Sequence, residues 1–373
     1  MMNNMPITVK RSIELLGLFL LGTILIYGRD IIMPVLMAFF LSIMLLPVYR
    51  FFKRKKFPEV FAILIPILLL AIFAALLIWF FSIQIGALIA DFPQIKQNVN
   101  LHLNSLSQWI NEISNYSTTE QAKLVQQQSN KMINSAGNIL SGFAGSLSSI
   151  FIFFGLLPIY IYLLLFYKNL LLRFAFMWFK AESHPKVEES IRETEVIIKS
   201  YLIGLLIQIG YVTILLGGLL MIIGIKHALL IGVIFALLNL IPYVGALIGN
   251  LIGVLLTLTS STELWPIVTV LAVIAFVQFL DNNILMPRIV GSKVKINALS
   301  AILGVVIAGN IAGIPGMFLS LPIIAVLKII FDRSDMFRHW GALLGDERPD
   351  KSPLNFPKFR KKEKVQEVLQ EKK

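Results

Sequence analysis

Residues 228–262, ALLIGVIFALLNLIPYVGALIGNLIGVLLTLTSST, run for 35 positions without one Asp, Glu, Lys or Arg. As one straight helix at 1.5 Å per residue they would reach about 50 Å, well past the ~30 Å hydrocarbon core of a bilayer, so the segment must turn back or break. The place is marked by Ile-Pro-Tyr-Val-Gly at 241–245: Pro242 removes a backbone donor, Gly245 permits the turn, and Gly249 shapes the same tip. Residues 298–327 are charge-free over 30 positions and are divided in the same way by Ala312, Gly313, Ile314, Pro315 and Gly316. Each stretch is predicted to be a helical hairpin or a broken helix, either re-entrant or fully spanning. The plainer reading of these Gly and Pro residues is tight helix packing.

The rest of the chain agrees with a membrane setting. Its 373 residues are 57% hydrophobic and 14% charged, with a mean hydropathy of +0.80, a balance foreign to soluble globular proteins. Residues 31–49, 60–85, 147–167 and 201–225 each match one span, while 15–28 and 264–280 are slightly short. The predicted fold is an all-α polytopic integral membrane protein of about eight transmembrane helices, including the two hairpin segments, plus a small external helical hairpin. The first apolar stretch meets Arg29-Asp30 with no small-residue cleavage site before it, so it is expected to stay as an anchor.

Charge sets the orientation. With the N-terminus cytoplasmic and both long stretches turning back, 28 of the 33 Lys and Arg fall on the cytoplasmic side, a strong positive-inside bias. This divides the chain into N-terminal spans (1–85), an external segment (86–146), a C-terminal membrane core (147–335) and a basic cytoplasmic tail (336–373). The external segment repeats apolar residues at Ile89, Phe92, Ile95, Val99, Leu103, Leu106, Ile110 and Ile113, close to the 3.5-residue period of packed helices. It reads as an internal hairpin with a return helix near 124–140, or as a coiled coil between subunits of a homo-oligomer. The net charge of +12 flanks apolar stretches instead of interleaving with aromatics, which points to membrane lipids as partners and away from nucleic acid.

No phosphate-binding Gly-x-x-x-x-Gly-Lys-Ser/Thr, no Gly-x-Ser-x-Gly and no His-Glu-x-x-His occurs. There is no cysteine, and the four histidines are scattered, so neither an enzyme nor a metal or cofactor site is predicted. Polar groups within the spans are amides: Gln84, Gln208, Asn239, Asn250, Gln278 and Asn310. They either bond to neighbouring helices or line a solute path. The densest polar run is Gln278-Phe279-Leu280-Asp281-Asn282-Asn283, followed by Pro287-Arg288. An acid, three amides and a helix breaker at a membrane boundary can bind a cation or a polyhydroxylated solute; equally, they can form a polar loop in which Asp281 ends the helix.

Taken together, SYLIGLLIQIGYVTILLGGLLMIIGIK (200–226), ALLNLIPYVGALIGNLIG (236–253), QFLDNNILMPRIVGSKVKINALS (278–300) and GNIAGIPGMFLSLPIIAVLK (309–328) resemble the conserved half of the AI-2E family of transporters. The likeness covers roughly residues 10–335. It implies about eight spans, cytoplasmic termini, and export or exchange of a small solute across the bacterial cytoplasmic membrane, with some members assigned to autoinducer-2 and others to Na⁺/H⁺ antiport. Two positions depart from many relatives: Leu205 stands where a Gln directly follows the glycine, with Gln208 three residues on, and Ala298 stands where Pro is common. The expected function is secondary transport, with a passive channel and a non-transporting scaffold as the alternatives. By the charge count the two hairpins enter from opposite sides, so the path is expected between them, with Asp281 and Asn282 closing the cytoplasmic side.

Overall fold

The structure is a computed structural model that describes residues 7–114, 127, 131, 147–241, 244–257, 263, 265–289, 296–334 and 337–346. Among the described residues all regular structure is helical. In chain order the helices are α1 (Ile7–Tyr27), α2 (Arg29–Arg54), α3 (Glu59–Ser114), α4 (Leu147–Phe166), α5 (Lys168–Met177) and α6 (His184–Val212). A π-helical turn, Thr213–Gly217, leads into α7 (Gly218–Ile222), and α8 (Ala228–Leu238) and α9 (Val244–Thr257) follow. Then come α10 (Trp265–Leu280), a second π turn at Asp281–Leu285, α11 (Met286–Ile289), α12 (Ala298–Arg333) and α13 (Arg338–Leu344).

Five helical stretches have the length and hydropathy to cross a membrane: Arg29–Arg54, Glu59–Asp91, Ala181–Ile222, Trp265–Arg288 and Ala298–Arg333. The pair Gly155–Phe166 and Lys168–Met177, bent by 64°, is a sixth if taken as one span. The chain is thus a multi-pass membrane protein.

The two long apolar stretches differ from simple spans. α8 and α9 have 11 and 14 residues, about 16 and 21 Å, so neither arm alone crosses the hydrocarbon. They lie side by side: a Cβ placed on Gly249 would meet the Phe235 ring at 2.5 Å. The two arms form a short helical hairpin. In α12 the backbone leaves helical geometry at Ala312 and Gly313, the latter at φ 62° and ψ −145°. A straight helix would hold Gly304 and Ile324 about 30 Å apart, yet they are in contact, as are Gly316 and Ala308. The chain therefore folds back on itself at Gly313.

α3 continues as one helix of 56 residues, about 84 Å long, far beyond a bilayer. The outward arm of the expected external hairpin is thus a direct extension of a span. The predicted return helix falls outside the described residues, 127 and 131 excepted.

Two apolar cores share α6 and α3. The first gathers Ala38, Phe40, Ile63, Ile161, Leu165, Ile198, Tyr201, Leu205 and Leu319 from α2, α3, α4, α6 and α12. The second gathers Val212, Leu216, Leu230, Ile231, Phe235, Leu256, Val270 and Ile274, and so joins the far half of α6 to α7 through α10. Leu240, in the tip between α8 and α9, packs against the first core although α8 itself belongs to the second. The hairpin tip thus sits at the seam, level with the stretch of α6 between Leu205 and Val212.

Polar pairs gather at the two ends. At one, Arg50 bonds Glu195 at 2.5 and 2.9 Å, and Arg333 pairs with Glu193 at 2.5 Å. At the other, Asp91 on α3 meets Lys226 and His227 ahead of α8, each at 2.8 Å.

Candidate functional site

Among the described residues the seam holds one buried carboxylate. Asp281 is 1% exposed. Its Oδ2 accepts a hydrogen bond from Gln208 Nε2 at 2.8 Å and another from Asn239 Nδ2 at 2.7 Å, and its Oδ1 accepts from the Tyr211 hydroxyl. Helical spacing explains the α6 pair, because residues three apart share a face. Asn239 comes from the turn that ends α8, where its own N–H bonds Phe235 O at 2.9 Å. α6 and the turn after α8 thus converge on an acid carried by a third element.

The three donors are neutral, and no described cation pairs with Asp281. Arg288, the cation nearest on its own helix, is exposed; Lys293 lies outside the described residues. An unpaired ionised carboxylate is costly to bury, and charge-assisted hydrogen bonds offset part of that cost. Gln208, 2% exposed, keeps its Oε1 buried without a partner among the described residues. Each amide carries an oxygen opposite its NH₂, so a half-turn of its last torsion exchanges donor for acceptor. The same four side chains can therefore offer N–H and O–H donors to a bare carboxylate, or oxygens to a small hard cation.

Both π turns flank this site. Thr213–Gly217 begins two residues after Tyr211, and Asp281–Leu285 begins at the acid itself. Such one-residue expansions recur at functional sites. α8 seats against the first of them at backbone distance: a Cβ on Gly232 would lie 2.8 Å from Gly217 N.

Two expectations are corrected. Asp281 does not end a helix; it lies within the helical stretch Trp265–Arg288, which runs on through the π turn. Nor does Pro287 break the chain. It stands in α11, and the widened turn upstream relaxes the ladder where its ring would crowd the carbonyl of Asn283.

Of the other predicted residues, Asn282 and Asn283 are exposed beside Asp281, Gln278 Nε2 bonds Asn282 Oδ1 at 3.3 Å, and Asn283 Nδ2 bonds Phe279 O at 2.9 Å. Successive helical residues diverge by about 100°, so Asn282 and Asn283 turn outward, while Gln278, one turn before Asp281, keeps its Oε1 buried without a partner among the described residues. Asn310 is exposed and returns its Nδ2 to Val306 O at 2.8 Å; Asn250 is half-buried on α9. Gly245 and Gly249 line the first hairpin, and Gly313, Pro315 and Gly316 form the bend of the second, which packs on α2, α6 and α13. Pro242 lies outside the described residues. Tyr211 escaped the sequence reading; its position three residues after Gln208 in an otherwise apolar span was the available signal.

The profile of the AI-2E family transporter matches residues 15–335. YrrI and YueF of Bacillus subtilis, both carrying provisional transport-protein names, are 25% and 27% identical over 81% and 84% of this chain and 86% of their own lengths. The AI-2 transport protein TqsA of Escherichia coli K12 is 24% identical over 86% of this chain and 91% of its own length.

Proposed function

We infer the function from one premise: the chain belongs to the AI-2E family of transporters. It is a secondary transporter of the bacterial cytoplasmic membrane that exports or exchanges a small solute, and Asp281 carries the coupling charge. One observation supports this reading above others: a single buried acid inside a span, held by neutral donors from α6 and from the tip of the first hairpin. A structural ion pair would place a cation there. A neutral cage instead lets the charge of the site change when a proton or a monovalent cation arrives.

The cage also bridges two packed bodies. Gln208 and Tyr211 sit where α6 passes from the first core to the second, and Asn239 sits on the hairpin tip that reaches across. Neutralising Asp281 weakens its acceptor strength toward all three donors together, so occupancy of the acid and the position of the tip are coupled. Autoinducer-2-like molecules, in view of the relative named for AI-2 transport, and Na⁺ with H⁺ are the first solutes to try. By the charge count the Asp91–Lys226 end is external and the Arg50–Glu195 end cytoplasmic.

Flux into proteoliposomes, measured with imposed pH and Na⁺ gradients, tests the reading. Solute movement that follows either gradient supports it. Movement that follows only the solute's own gradient makes the chain a passive channel, and no movement across the panel makes it a scaffold.

A further inference from the structure

α5 leaves the bundle at the end that holds Arg50 and Glu195. It turns 64° from the direction of α4, and none of its side chains is buried. Leu170, Phe174 and Met177 follow i, i+4, i+7 spacing and form an outward stripe, 59%, 57% and 75% exposed. Trp178, 74% exposed, stands just past the helix. On the opposite side Lys168, Ala175 and Phe176 are half-buried toward the bundle. A short helix bent away from a span, with an apolar stripe facing outward and a tryptophan at its end, has the form of a helix lying in the bilayer interface.

Basic groups converge on it from a second segment more than a hundred residues away. Lys168 Nζ stands 3.7 Å above the Tyr49 ring, within electrostatic reach of Lys53, Arg50 and Glu59. Lys53 and Arg54 at the end of α2 and Lys55 and Lys56 in the turn after it are exposed, as are Arg173 on α5 and Lys180 three residues past its end. The acids here are engaged: Glu59 accepts from Tyr49 at 3.3 Å and Glu195 is held by Arg50. Glu182 alone follows Lys180 closely. Like charges are thus crowded on a surface whose apolar stripe points into lipid.

We propose that α5 and the basic segment at 53–57 together form a binding surface for anionic phospholipids, their headgroups meeting Lys53, Arg173 and Lys180 and their acyl chains under Leu170, Phe174 and Met177. An anionic headgroup offsets the mutual repulsion of these cations, and the stripe accounts for the chains. A soluble anion would meet only the first requirement. The proposal does not depend on the coupling role of Asp281.

The full-length chain in neutral detergent is melted with added phosphatidylglycerol or phosphatidylcholine, as native protein and as K53Q/R173Q/K180Q. Phosphatidylglycerol should raise the melting temperature several degrees more than phosphatidylcholine, and the triple variant should lose most of that difference while melting normally in phosphatidylcholine. Equal shifts with the two lipids, an undiminished difference in the variant, or the same shift from inorganic phosphate would each overturn the proposal. Because the chain has no cysteine, Met177→Cys gives a unique label position. In nanodiscs a fluorophore there should be quenched by brominated acyl chains, and one at Lys186→Cys should not. Absence of quenching at 177, as in a contact between copies, refutes the surface even if the triple variant fails to fold.

Discussion

Asn239 and Asp281 are 42 positions apart in the chain and 2.7 Å apart in space, Nδ2 to Oδ2, so one hydrogen bond ties the tip of the first hairpin to the helix that carries the acid. Its acceptor is a buried acid, which makes it stronger than a bond between neutral partners. The neighbouring glycine makes room for it. A Cβ on Gly245 would lie 2.7 Å from both Asn239 Cα and Asn239 Oδ1, and backbone cannot swing aside.

Gly245→Ala should therefore act through Asn239. Asn239→Ala and Gly245→Ala should each destabilise by about 1–3 kcal/mol, the range for a strained tip or a buried acceptor that loses a partner. The double variant should fall short of the sum by more than about 0.5 kcal/mol, since the second change removes a contact already lost. Denaturation in detergent reads all three. Strict additivity would separate the glycine from the site.

Gly313 presents the other way in which a glycine can be required. Nothing stands within 4 Å of a Cβ there, but φ 62° and ψ −145° form a combination open almost only to glycine. Gly313→Ala should cost about 1–3 kcal/mol through backbone strain alone. Gly218, equally free of neighbours, has ordinary helical angles at the start of α7, so Gly218→Ala should be neutral or stabilising by up to about 1 kcal/mol. Comparing the two melting temperatures checks this; similar shifts would mean that the bend at Gly313 does not depend on its left-handed φ.

Both bends were legible because they rest on chain chemistry and arithmetic: charge-free stretches too long for one span, interrupted by Pro and Gly. The site was legible only in part. Asp281, Gln208 and Asn239 stood out as polar groups in apolar spans, but nothing in the local pattern says that residues 73 and 42 positions from Asp281 meet it. Asn282 and Asn283 looked like partners because they are adjacent in sequence, and adjacency on a helix sends side chains to different faces. A π turn inserts a single residue into a repeat of 3.6, too small a phase shift to read against uniformly apolar neighbours. The reading in which the helix ends at Asp281 fails for that reason: the helix widens there and continues.

Sidedness can be tested with two labels. Ser105 is exposed on the extension of α3, and Lys186 is exposed at the start of α6. Unique cysteines at these positions should react with a membrane-impermeant reagent from opposite sides, Ser105→Cys from outside in intact cells and Lys186→Cys only after permeabilisation. Cysteines at Asp91 and Lys226 should be joined by a short bifunctional thiol reagent, because the tips of the native side chains meet at 2.8 Å. Reaction of both 105 and 186 from one side would overturn the orientation.

The decisive substitution is Asp281→Asn, with Tyr211→Phe as its companion. Asparagine keeps the size of the acid and one oxygen for the surrounding donors, so the protein should still fold, at a cost of about 1–3 kcal/mol for the buried bonds that are lost. What it removes is the ability to change charge. Flux through Asp281→Asn should lose its dependence on pH and Na⁺, whatever rate remains. Tyr211→Phe keeps the carboxylate and deletes one donor, so it should destabilise by a similar amount while flux still follows the ion gradient. The pair separates coupling from stability, because both variants disturb the same cage and only one removes the charge. A folded Asp281→Asn protein whose flux tracks the gradient as the native chain does would take coupling away from Asp281 and move the search to the amides between Asn239 and Asn250.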